Sequence, residues 1–286
     1  MPEGHTLHRL AGALSGAFAG SAVAVSSPQG RFAQEAALLD GTRLEQAEAW
    51  GKHLFVSFAG DRVVHVHLGL YGKFAVTVLG PRAAEVPGPV GQVRLRLVTD
   101  AGPGGAAYAD LRGATACTLM TSAEADALVA RLGPDPLRGD ADPEQAWERV
   151  ARSRAPIGAL LMDQQVLAGV GNVYRAEVLF RHRIHPLRPG RTLRRSQFQA
   201  IWDDLVLLMT EGVRTGRIDT VRPEHTPEAM GREPRRDDHG GEVYVYRRTG
   251  QPCLVCERPV RSEVLAARNS FWCPRCQPVF RSRAVQ

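Results

Sequence analysis

Lysine is almost missing from this chain. Of 36 basic residues in 286, only Lys52 and Lys73 are lysine; the other 34 are arginine. In so biased a sequence a retained lysine needs a chemical reason, because lysine can tune its pKa and arginine effectively cannot. Long apolar runs are missing too. None approaches the roughly 18 residues of a membrane helix. The first residues, Met1-Pro2-Glu3-Gly4-His5-Thr6, lack a basic stretch followed by an apolar one. No secretory signal is read there, and a cytoplasmic protein is expected. No internal repeat or low-complexity tract is found. What remains is ordinary globular composition, 44% hydrophobic and 23% charged. That is too apolar for a disordered tail and long enough for two domains.

Charge is uneven along the chain. Residues 1–130 carry 10 basic and 11 acidic side chains, residues 131–230 carry 15 and 13, and residues 231–286 carry 11 and 6. The net +6 therefore gathers toward the C-terminus, as expected of a chain that meets a polyanion there. A solvated basic surface accounts for the charge alone equally well.

Leu7, Leu10, Ala11, Leu14 and Phe18 recur at three- and four-residue steps, which predicts a helix after Pro2. From about residue 21 to 120 short alternating runs take over, including Leu54/Val56/Phe58, Val64/Val66/Leu68 and Val93/Leu95/Leu97. Gly and Pro clusters at 80–91 and 101–105 separate them. This texture predicts a two-layer β-sandwich. Gly133-Pro134-Asp135-Pro136-Leu137 reads as a linker, and a helical region follows. In it Pro156 suits a first helical position and Asn172 an N-cap. Residues 222–241, rich in charge, Pro and Gly, read as a mobile loop. The expected class is α+β, with domains at 1–125, 141–240 and 241–286 and an interdomain linker at 126–140.

The strongest local signal is Cys253-x-x-Cys256 and Cys273-x-x-Cys276, separated by the 16 residues 257–272. That spacing predicts one structural zinc held by four thiolates; a disulfide pair fits a cytosolic chain poorly. Cys117, among Ala116, Leu119 and Met120, reads as core. Arg258, Arg261, Arg268 and Arg275 surround the knuckles and suit a nucleic-acid backbone. Phe271 and Trp272 read as packing for the hairpin. Gly169-Val170-Gly171-Asn172 offers backbone N–H groups to a phosphate, although many helix corners look the same. His65-x-His67 would place two imidazoles on one strand face. With no third ligand apparent they read as structural, and Asp203-Asp204 reads as a solvated helix face.

The N-terminus is the least ordinary feature. Removal of Met1 would leave Pro2 with a secondary amine of ordinary pKa about 8. A helix beginning there lowers that value and favours the neutral nucleophile. Glu3 stands one residue away, placed to exchange protons. An amine beside a carboxylic acid suits Schiff-base chemistry at a sugar aldehyde carbon. A plain N-terminal helix proline accounts for Pro2 equally well.

Four segments together resemble the formamidopyrimidine-DNA glycosylase and endonuclease VIII family. They are Met1-Pro2-Glu3-Gly4, Trp50-Gly51-Lys52-His53-Leu54, the run from Leu161 to Asn172, and the run from Arg268 to Gln277. They span nearly the whole chain in the family's order, and the third looks like its helix–two-turns–helix signature. The resemblance implies catalytic roles for Pro2 as nucleophile, Glu3 as proton donor, Lys52 as a cationic acid and Arg268 at the phosphate. It also implies DNA contacts from Asn172 and Arg131, and a wedge of Leu70 and Tyr71 that fills the gap left by an everted base. The implied partner is double-stranded DNA carrying damaged bases or abasic sites, bound by a monomer.

Some positions depart from the family's pattern. Gly69 stands where a longer side chain is common, and His5-Thr6 replaces a Pro-Glu pair. Asp110-Leu111-Arg112-Gly113 looks like a shortened version of the loop that reads the opposite base, and no Phe follows Arg112. With Thr215-Gly216-Arg217-Ile218-Asp219, this points to the endonuclease VIII branch and to oxidised pyrimidines. Oxidised purines, such as 8-oxoguanine, and a non-catalytic zinc-dependent DNA-binding protein are the alternatives.

Overall fold

The computed structural model describes residues 2–79, 85–236 and 241–281. Met1 and parts of the expected turn and loop segments, residues 80–84 and 237–240, lie outside the described residues. The chain divides into two units, Met1–Arg131 and Leu132–Gln286.

The first unit is the expected β-sandwich with its N-terminal helix. Helix α1 (Gly4–Phe18) buries Leu7, Leu10, Ala11, Leu14 and Phe18, the stripe set by its apolar spacing. Strand β1 (Ala22–Ser26) and helix α2 (Ala33–Leu39) precede β2 (Thr42–Trp50), β3 (His53–Phe58) and β4 (Arg62–His67). Then come β5 (Lys73–Val78), β6 (Leu95–Gly102), β7 (Gly105–Arg112), β8 (Ala116–Met120) and helix α3 (Ser122–Val129). The strands are antiparallel in the order β5-β7-β6-β1-β2-β3-β4-β8.

Strand β1 belongs to both layers. Its first residues pair with β2, Val23 facing Thr42, and its last with β6, Val25 facing Leu97. Helix α1 packs on strands of both halves. Leu14, Phe18, Leu44, Leu54, Val64, Val66, Leu97 and Leu111 fill the core between them. Cys117 is buried there, and burial pushes its thiol up to about 12, so it packs as an apolar residue.

The second unit is helical and ends in a hairpin. It holds α4 (Pro143–Arg152), α5 (Ile157–Leu160), α6 (Asn172–Arg181), α7 (Arg195–Thr215) and α8 (Pro227–Met230), then β9 (Arg261–Leu265) and β10 (Arg268–Trp272). Asp142 caps α4 by accepting from Glu144 N at 2.9 Å. Gly216, at φ 74, ends α7. Phe271 and Cys273 share one apolar cluster with Val173, Ile201 and Leu205, so the hairpin packs on the helices, and Phe271 is core as expected. Trp272 is also buried, its ring edge against His185.

Four local expectations change. Pro156 is the residue before α5 and not its first; its extended backbone suits it to that place. Gly171 is the N-cap of α6, because Asn172 turns its amide to Asn269 O at 3.0 Å. Asp204 is no solvated residue: it binds Arg181 at 2.6 Å and His182 at 3.0 Å. Residues 133–136 are buried, with Gly133 N bonded to Gln164 O and Ala168 N to Pro134 O, so this Pro-rich segment is packed structure.

The described part of 222–241 holds α8, and Arg232 forms an ion pair of 2.7 Å with Glu242. Glu177, fully buried on α6, accepts hydrogen bonds from the backbone N–H groups of Tyr244, Val245 and Tyr246 and from the Thr220 hydroxyl. A buried carboxylate is tolerable only with partners of this kind.

Candidate active site

Glu3 is fully buried at the start of α1. Its backbone is extended, with φ −117 and ψ 178, and its side chain is not spent on capping the helix. The positive end of the helix favours negative charge at this place. Pro2, half-buried, precedes it. His5, the second residue of α1, is also buried, and the hydroxyl of its neighbour Thr6 lies 3.3 Å from Nε2. Burial first, then nearby positive charge including Arg9, lowers His5 from 6.5 to about 4. A neutral imidazole therefore stands where the family's pattern has a carboxylate nearby.

Lys52 is placed by a turn. Trp50 pairs directly with His53, leaving Gly51 and Lys52 as a two-residue hairpin loop. Gly51 takes φ 59, as a glycine does at the first position of a type II′ turn. Lys52 follows it, half-buried.

Beside it lies a feature that the sequence reading saw only in part. His53 opens β3 and pairs across with His67, while His65 pairs with Phe55. His53 Nδ1 and His65 Nε2 are 2.9 Å apart. Burial, then His65, His67, Arg131 and Lys52, push His53 down to about 3. Burial and His67 lower His65 to about 4, and burial and Lys52 lower His67. Lys52 and Arg131 therefore both lie close enough to His53 to be felt by it. In the sequence His53 stands out only as part of the Lys52 segment, with no role of its own, although β3 and β4 fold symmetrically about the turn at Gly60 and place positions 53 and 67 opposite each other.

Leu70 and Tyr71, the residues expected as a wedge, lie in the segment after β4. Tyr71 is 90% exposed and Leu70 43%. Gly72 N bonds Leu68 O at 3.0 Å, closing the loop. Gly69 has φ +68, and a Cβ on it would lie 1.9 Å from Thr115 Oγ1. The Thr115 side chain thus occupies the room a longer residue at 69 would need.

Asp110 and Arg112 are not a loop. They end β7, where Asp110 binds Arg96 at 3.2 Å and Arg112 at 2.9 Å. Arg112 also donates to Val90 O, so its guanidinium is committed within this unit.

In the second unit the hairpin tip carries Arg268. Leu265 pairs with Arg268, so Ala266 and Ala267 form the turn, at φ 50 and 57. Two successive left-handed residues make the type I′ turn that matches strand twist. Arg268 leaves it exposed to solvent. Its neighbour Asn269 offers its carbonyl to Asn172 Nδ2 and, at 3.2 Å, to Arg175. Arg175, fully buried, also holds the Gly158 carbonyl and Asn172 Oδ1. Asn172 and Arg268 are thereby joined through one residue.

The four cysteines hold one structural zinc. Their sulfur atoms all lie within 4.8 Å of one another, and tetrahedral zinc–sulfur bonds of about 2.3 Å place sulfurs roughly 3.8 Å apart. Val255 N and Cys276 N each point at the sulfur that opens their turn, at 3.5 Å. Burial pushes the Cys253 thiol up to about 11 and Cys276 up as well, so a bound cation is what allows four thiolates together. Gln277, fully buried, accepts from Cys273 N and donates to Ile184 O, fixing the second knuckle.

Comparison with known proteins agrees with this layout. The family model for the formamidopyrimidine-DNA glycosylase N-terminal domain matches residues 1–117, that for its H2TH domain 132–223, and a zinc finger found in FPG and IleRS 250–279. Endonuclease 8 1 of Mycobacterium tuberculosis is 55% identical over 281 residues, covering 97% of this chain and all of the relative. A formamidopyrimidine-DNA glycosylase of Chloroflexus aurantiacus is 33% identical across 85% of this chain and 82% of its own. Among solved structures, Lactococcus lactis Fpg with abasic-site DNA superposes with TM-score 0.74 at 21% identity, covering 97% of this chain and all of that one. Thermus thermophilus MutM (Fpg) does so with TM-score 0.69 at 26% identity, covering 96% and 98%.

Proposed function

Because this chain belongs to the formamidopyrimidine-DNA glycosylase and endonuclease VIII family of DNA-repair glycosylases, we propose that it excises oxidised pyrimidines from chromosomal DNA in the cytoplasm. The proposal includes cutting the strand through an N-terminal Schiff base. The observation that carries it is Glu3, fully buried at the head of α1 directly after Pro2.

The Pro2 amine attacks C1′ as the bond to the damaged base breaks, and Lys52 supplies acid assistance to the departing base. Glu3 protonates the sugar ring oxygen, which opens the ring and leaves an iminium on Pro2. Loss of a C2′ proton expels the 3′ phosphate, and loss of a C4′ proton expels the 5′ phosphate. Water then releases Pro2. Leu70 and Tyr71 take the place of the everted nucleotide. Arg131, Asn172 and Arg268 hold phosphates, and Arg268 assists the second elimination. The committed guanidinium of Arg112 supports loose reading of the opposite base and hence the pyrimidine branch. Domains at 1–125, 141–240 and 241–286, joined by 126–140, and a monomer serve this reaction.

Borohydride trapping on duplexes with 5-hydroxyuracil, thymine glycol, 8-oxoguanine or an abasic site tests the reading. Adducts on the pyrimidine lesions that vanish with Pro2→Gly are expected. Trapping chiefly on 8-oxoguanine would overturn the substrate assignment and keep the mechanism. No adduct even at the abasic site would leave a damage-binding protein.

A further inference from the structure

Three imidazoles stand beside Lys52 with no part in the chemistry above. The His53 and His65 rings stack at 5.1 Å and 20° and share the 2.9 Å Nδ1–Nε2 hydrogen bond. Phe55 stacks on His65 at 5.3 Å, and His67 leans on His53 at 5.1 Å and 58°. His53 is thus held by its backbone pair with His67, by stacking and by a hydrogen bond. Buried polar rings cost stability where apolar ones would pack. Metal binding does not explain them: among the described residues only the four cysteines bring three or more ligand atoms together.

The turn explains them better. Only Gly51 and Lys52 separate Trp50 from His53, so any rocking of His53 passes directly to the Lys52 backbone. We propose that His53 and His65 are positioning residues for Lys52, their bonded rings fixing where its ammonium meets the departing base. The inference rests on the reading of Lys52 as the acid of base removal. Burial first, with the neighbouring imidazoles and, for His53 alone, Arg131 and Lys52, lowers both rings, and a charged ring would in turn make the lysine ammonium harder to keep.

The test compares His65→Phe, His65→Gln and Lys52→Ala in the full chain, on duplexes with 5-hydroxyuracil and, in parallel, 8-oxoguanine. Phe keeps the flat ring and loses the hydrogen bond; Gln can restore the bond. His65→Phe should slow single-turnover base excision about tenfold, as a displaced catalytic group does. Duplex affinity and abasic-site cleavage should stay within about twofold of wild type. His65→Gln should recover most of the loss. Wild-type excision by His65→Phe would overturn the proposal. So would equal losses in the Phe and Gln variants, or a parallel fall of excision, affinity and abasic cleavage. If Lys52→Ala itself excises normally, the assignment of Lys52 fails instead, whatever the histidine variants do.

Discussion

Glu3, His5, His53 and His65 are all titratable groups removed from bulk water in the first unit, and the histidines have a measurable consequence. Their folded values lie near 4, 3 and 4 for His5, His53 and His65, against 6.5 when exposed. Between about pH 6.5 and 4 the unfolded chain therefore binds protons that the folded chain refuses. Their contribution to stability is complete above pH 6.5 and is lost as pH falls toward 4. Urea midpoints followed across that window should drop with acidification, less steeply in His65→Phe. Equal slopes for the two proteins would contradict the assignment.

The same residues show how far one residue can be read from sequence. Lys52 stands out because lysine is rare here, and Pro2-Glu3 because position in the chain defines the chemistry. His53 gains its partners only when β3 and β4 register. Glu177 and Arg175, inside an otherwise apolar helix, gain theirs only when the 242–246 segment and the zinc hairpin pack against it.

At the scale of elements, pattern carried most of the information. The α1 stripe and the β-sandwich alternation are periodic, and periodicity survives folding because burial creates it. The zinc hairpin was legible from cysteine spacing alone. Caps and linkers were less so. Asn172 left its capping role for a contact with Asn269, and the 133–137 segment packed despite its prolines. Both outcomes depend on neighbours distant in sequence.

The hairpin turn offers a test of element stability. Ala266 and Ala267 hold left-handed conformations that cost alanine roughly 1–2 kcal/mol each. Ala266→Asn with Ala267→Gly, the preferred type I′ pair, should stabilise the second unit by about 1 kcal/mol. That corresponds to a melting midpoint roughly 2–4 °C higher. A lower midpoint would mean that the turn differs from this description.

At the scale of the molecule, two units have separate apolar clusters, one built on α1 and the sandwich, the other on the helices and hairpin. Among the described residues no helix is long and apolar enough to cross a membrane. Chelating the zinc, or Cys276→Ser, should loosen the hairpin and weaken DNA binding while the sandwich keeps its fold. Binding that survives zinc loss unchanged would contradict a role for the hairpin in holding DNA.

The central claim is that the Pro2 amine is the nucleophile. Its most direct test is peptide mapping of the borohydride-reduced adduct with abasic DNA. The sugar remnant should be found on the peptide that begins with Pro2, with Met1 absent. A remnant on the Lys52 peptide, or on any other lysine-containing peptide, would contradict the account.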